Sequence, residues 1–121
     1  MATNFIQDGS TIDHANSSGS TILSGAVVVI GSLIGVAIAD IPNGEKGAVR
    51  IEGVFELPKV EAAVIGTGED VIYDITALEF DDNAATAEAG GVSGACVAVE
   101  AAGNGALTVK VKLNVGVGVV A

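Results

Sequence analysis

Few side chains in this chain are equipped for chemistry, and their spacing organises no familiar reaction. The single histidine, His14, and the single cysteine, Cys96, are the one base and nucleophile available for covalent catalysis. Cys96, however, falls in an alternating apolar segment, the usual setting of a small core residue. Asp13-His14 adjoins a Ser/Asn-rich turn, where polar side chains face water. No G-x-S-x-G elbow and no G-x-x-x-x-G-K-[ST] loop occurs. "GEDVIYD" (Gly68–Asp74) and "EFDDN" (Glu79–Asn83) cluster acids without the spacing of a calcium loop, which needs a central glycine and a closing glutamate. The glycine-rich turns are not followed by helices that would hold phosphate. The expectation is no catalytic residue, no cofactor and no metal.

Charge narrows the partners. The net charge is −10, and between Lys59 and Lys110 there is no basic residue. Nucleic-acid phosphates need Lys and Arg to displace their counterions, so direct binding to nucleic acid is not expected. Cys96 alone excludes an intramolecular disulfide. The start "MATNFIQDG" lacks the basic end and long apolar core of a secretory signal, so synthesis in a reducing cytoplasm is expected.

The elements that must position any site are strands. The run from Ile22 to Ala39 carries no charge, and Gly31 and Gly35 have the spacing of a membrane helix-pairing motif. Its residues argue otherwise. Val27, Val28, Val29, Ile30, Ile34, Val36 and Ile38 are β-branched, which suits a pleated surface. No Trp, Tyr, Lys or Arg flanks the run as an interfacial anchor. It reads as strands Ala26–Ile30 and Ile34–Ile41 around a Gly31-Ser32-Leu33 turn, apolar on both faces as in strands covered on both sides. No membrane association is expected.

Period-two alternation predicts a strand over Val49–Leu57 and another over Leu107–Val115, the latter with apolar odd positions and polar even ones throughout. Val117 and Val119 continue the apolar face, while Gly116 and Gly118 leave room for another backbone or subunit. Further strands are expected at Phe5–Gln7, Val60–Ile65, Val71–Thr76 and Ala95–Glu100. Asn43-Gly44 and Gly103-Asn104-Gly105 mark hairpins. Asp82–Ala89 reads as a short helix or a surface loop. The fold class is all-β, a small barrel or sandwich of about eight short strands in one domain over residues 1–121, with the first few residues as an arm. Three Phe and one Tyr leave the core to small aliphatics, and 17 glycines add ordering cost. Oligomer contacts should therefore supply part of the stability. Phe5, Ile6, Val117 and Val119 are the candidate oligomer or partner contacts.

The stretch "GAVVVIGSLIGVAIADIPNGEKGAVRIEGVFELPK", followed by "VIYDIT", "GACVAVEAAGNG" and "VKVKLN", resembles the cement or decoration proteins of tailed-phage heads. The most specific parts are Gly35-Val36-Ala37, Asn43-Gly44-x-x-Gly47 and Gly53-Val54-Phe55-x-Leu57-Pro58-Lys59. The resemblance implies a virion protein, made in the host bacterial cytoplasm, that binds the outer surface of the expanded head and bridges major capsid protein subunits, commonly as a homotrimer. The other reading of a small acidic β domain is a receptor- or glycan-binding module. Four aromatic residues give that reading little for sugars to stack on.

Overall fold

The computed structural model describes residues 10–85 and 89–121. These residues form β1 (Thr11–Ala15), β2 (Val27–Ile30), β3 (Leu33–Ala37), β4 (Lys46–Arg50), β5 (Val54–Pro58), β6 (Asp70–Asp74), β7 (Glu79–Asp81), β8 (Val92–Ala98), β9 (Thr108–Lys112) and β10 (Val119–Val120). A four-stranded sheet runs β1-β4-β3-β2, and a six-stranded sheet runs β5-β9-β8-β6-β7 with β10 also on β8. All the strand pairs are antiparallel. The architecture is an all-β sandwich, without helix among the described residues. The expected strand at Phe5–Gln7 lies outside the described residues.

The uncharged run is the β2–β3 hairpin, in the register Val27↔Val36 to Ile30↔Leu33. It is covered on both sides, as its composition requires. Val27, Val29, Ile34 and Val36 pack into the larger core with Val71, Tyr73 and Val92. Val28 and Ala37 pack with Ile41 and Val49 in a smaller core on the other side. Gly35 permits this closeness, because a Cβ there would run into Val49 Cγ1. No helix among the described residues is long and apolar enough to cross a membrane.

The segment expected as one strand over Val49–Leu57 is two. β4 ends at Arg50 in the smaller sheet, and β5 starts at Val54 in the larger. Gly53 makes the transfer at φ 114°, a conformation closed to residues with a side chain. The alternation hides the break because its phase survives: Val49 and Leu57 are buried, while Glu52, Val54 and Glu56 are exposed.

The larger sheet curls until its ends meet. An antiparallel path of five strands leaves β5 and β7 pointing the same way, so their contact must be parallel. It is, at the Lys59↔Phe80 bridge, where the Val60 N–H donates to the Phe80 carbonyl at 2.9 Å. Val60–Ile65 is therefore not the expected strand. It is a loop pulled inward by Lys59, which is fully buried. Lys59 Nζ donates to the carbonyls of Val60 (2.5 Å), Glu61 (3.2 Å) and Ala63 (2.6 Å). Three protons meet three acceptors.

The strand expected at Val71–Thr76 stops at Asp74, whose carboxylate accepts the N–H groups of Thr76 and Ala77 and turns the chain into β7. The described part of Asp82–Ala89 is a turn, with the Ala84 N–H on Asp82 Oδ1. β8 starts three residues before the expected Ala95 and bulges between its Ser93 and Cys96 pairings, where Gly94 has φ 77°.

The last expected strand also ends early. Val109, Val111 and Leu113 are buried, but Leu107 and Val115 are exposed. Asn114 stops it at φ 52°. Its side chain acts as a partner strand would: Nδ2 donates to the carbonyls of Ile34 and Ile51 (2.7 Å each), and Oδ1 accepts the Ile34 N–H at 3.0 Å. That stitch joins the two sheets. Replacing it (Asn114→Ala) should cost about 2–3 kcal/mol, from three lost hydrogen bonds and a left-handed conformation that alanine tolerates poorly. A urea midpoint unchanged from wild type would contradict this.

After the Asn114 break the phase reverses, correcting the expected tail. Gly118 faces inward, where a Cβ would lie 2.5 Å from Val92 Cγ1 and 2.6 Å from the Ser32 carbonyl oxygen. Val117 and Val119 face out. The approaching backbone anticipated here belongs to the chain's own β2–β3 turn.

Candidate functional site

The groups able to do chemistry are not assembled into a reactive centre. His14 lies on β1 of the smaller sheet, whereas Cys96 is buried in the core around β8. Burial pushes the Cys96 thiol up to about 11 from 9.0, and a backbone contact with Asn114 acts weakly the other way. At neutral pH it is a thiol, not the thiolate that attacks. Burial, aided by the Asp74 carboxylate, likewise pushes Tyr73 up to about 12 from 10.0.

Both shifts have one consequence for stability. The unfolded thiol and phenol release protons at lower pH than the folded ones, so the folded state holds more protons in the alkaline range. The contribution of these two groups to stability should be level below pH 9.0 and fall as pH rises through about 11 and then about 12. Urea midpoints across this window check the sign. A midpoint rising with pH there would contradict the burial of both groups.

The acids that invited a calcium reading serve turns instead. Glu69 accepts the N–H groups of Gly66 (3.1 Å) and Asn83 (3.0 Å), and Asp70 accepts Asn83 Nδ2 at 3.2 Å, tying two loops together. No group of three or more His, Cys, Asp or Glu among the described residues is placed to hold a metal ion. Of the cations, Lys59 is buried against carbonyls and Lys110 pairs with Glu100 at 3.2 Å. Tyr73 and Phe80 pack edge-to-face with centroids 5.0 Å apart inside the core, and Phe55 is half-buried. No described aromatic ring lies open on the surface.

What remains is surface made for contact. Val117 is 85% exposed and Val119 67% exposed, with Val115 and Val120 beside them in sequence. Phe5 and Ile6, the other two candidate contacts, lie outside the described residues. A groove of about 410 Å³ opens between the sheets, floored by Val36, Ala37, Phe55 and Leu57 and rimmed by Ile38 and Arg50. A smaller cleft of about 260 Å³ lies at β2, lined by Val27, Val28 and Val29 together with His14, Ser18, Ile22, Tyr73, Ile75 and Leu78. Such surfaces hold apolar side chains and strand edges.

The residues that matter most to this arrangement were only partly visible. Lys59 falls on the inward phase that runs through Val49, Ile51, Phe55 and Leu57, and a lysine in that phase signals a buried ammonium. Asn114 carried no such signal, because its partners Ile34 and Ile51 are remote in sequence.

The motif residues named above now have physical roles. Gly35 lets β3 approach Val49, Gly47 does the same for Ile41, Gly53 moves the chain between sheets and Lys59 closes the larger one. No curated protein matches the chain. The family model for phage cement protein matches residues 6–113 and so includes all these positions. The chain therefore belongs to the phage cement protein family, with a capsid cement role and a place on the phage capsid.

Proposed function

We propose that the protein binds the outer surface of the expanded head, bridges neighbouring major capsid protein subunits there, and works by binding rather than catalysis. The supporting observation is family membership over residues 6–113 in a chain whose described buried polar groups are satisfied by its own fold. Among the described residues no buried side-chain nitrogen or oxygen lacks a partner. Its exposed valines and inter-sheet groove are free to meet a partner.

The mechanism is differential affinity. A protein that binds the assembled lattice but not its separated subunits stabilises the lattice by mass action, by about 2.7 kcal/mol when free protein is a hundredfold above its dissociation constant. An oligomer, a trimer in this reading, engages several subunits at once and gains avidity without a strong single contact. Stapled, close-packed sheets suit the task because little has to reorder on docking. Made in the host cytoplasm, the protein would join heads as they expand. Binding to expanded heads against unexpanded procapsids is the test.

A further inference from the structure

Two strand edges of this protein differ from the rest. Edge strands expose unpaired N–H and C=O groups and are normally blunted by charge. β1 carries Asp13, β5 carries Glu56, and β7 carries Glu79 and Asp81. β2, at the end of the smaller sheet, and β10, paired on one side by β8, carry no charge at all.

Each bare edge is also shaped for an occupant. The cleft at β2 is lined by Val27 and Val29 from one face of the strand and Val28 from the other. Among the described residues it therefore runs along the edge that β3 leaves unpaired, with His14 of β1 and Ser18 also in its lining. One wall is Leu78, 60% exposed and held at φ 59°. A left-handed leucine is strained, and its exposure forgoes burial, so among the described residues this wall is held at a cost without a partner. β10 offers the complement: Val117 and Val119 project outward, while Gly118 faces inward and seats the segment on the chain's own β2–β3 turn.

Charge restricts where a second copy can dock. Two copies with a net charge of −10 each repel wherever acidic surfaces meet, and like charges across a strand pair are destabilising. Uncharged edges escape this. We propose that the β10 edge of one copy adds as a strand to the β2 edge of the next, with valines in the cleft beside Leu78. The two edges differ, so the contact is heterologous and closes into a ring when the rotation permits. An isologous β10–β10 pairing would leave the β2 cleft and Leu78 open. This deepens the oligomer part of the cement reading and names its interface. β10 lies beyond the residues that the family model matches, so membership alone gives it no role.

Cysteine cross-linking tests the pairing without heads. Val119→Cys is combined with Val27→Cys or with Val29→Cys in the full chain, and Cys96, being buried, stays in place. Oxidation should yield covalent dimers and higher species from a double variant and none from any single variant. Dimers from Val119→Cys alone would mean isologous pairing and overturn the proposal. Absence of cross-links from both double variants would overturn it too.

Sedimentation of Val119→Lys gives an independent reading, since that site is two-thirds exposed and tolerates charge in the monomer. The oligomer should fall to single chains. An intact oligomer that no longer binds heads would make β10 a capsid contact, overturning this proposal while leaving the cement reading. Cross-linked rings that bind no heads would do the reverse.

Discussion

Lys59→Met is expected to destabilise the protein by about 3–5 kcal/mol, read as a lower urea midpoint at unchanged slope. Methionine matches the length of the lysine stem and fills most of the space. It leaves the carbonyls of Val60, Glu61 and Ala63 facing a buried thioether that cannot donate. Those acceptors belong to the backbone, so the apolar replacement that neutralises many buried charge networks is not available here. Lys59→Arg should not rescue the loss, because a planar guanidinium does not fit three convergent carbonyls as a compact ammonium does. Lys112→Ala, on an exposed position of β9, serves as the control and should stay within about 0.5 kcal/mol of wild type. If Lys59→Met matched that control, the ammonium would not be closing the larger sheet.

Val111→Lys should do still more. Val111 is 0% exposed, paired with Phe55 on one side and Ala98 on the other. Its side chain lies in the core cluster with Val109 and Leu113. An unpaired buried charge costs several kcal/mol even after relaxation, so at least about 4 kcal/mol should be lost. The expected signs are unfolding or collapse of the near-ultraviolet dichroism at ambient temperature. Equal tolerance of Val111→Lys and Lys112→Ala would contradict the assignment of the inner face.

The contrast between these lysines shows what was legible in the sequence. Alternation in Leu107–Val115 identified Val109, Val111 and Leu113 as inward, because period two is a local property of a pleated strand. The β-branched run at Val27–Val36 announced buried sheet for the same local reason. Alternation could not show that β4 and β5 belong to different sheets, since the chain crosses at Gly53 without losing phase. Nor could it reveal that Asn114 ends β9 and reverses the tail, because that depends on Ile34 and Ile51, brought near only by folding. β1 and β7 were missed since Thr11–Ala15 and Glu79–Asp81 are short and polar, and pairing with better strands overrides weak propensity. Of the candidate contacts, Val117 and Val119 were chosen for continuing the buried face. They are exposed because that face ends before them. Both edges of the proposed ring were visible as uncharged valine runs, but the cleft beside Leu78 needed the fold.

Co-sedimentation of the purified protein with two forms of the same capsid, expanded heads and unexpanded procapsids, across a salt series tests the central claim most directly. Expansion rearranges the capsid subunits, so the bridging site should exist only in the expanded lattice. The prediction is saturable binding to expanded heads, none to procapsids, and little weakening as salt rises. Apolar and backbone contacts by an acidic protein gain little from long-range attraction, and salt relieves repulsion from an acidic shell. Equal binding to both forms, or binding to neither, would contradict a cement that reads the expanded lattice.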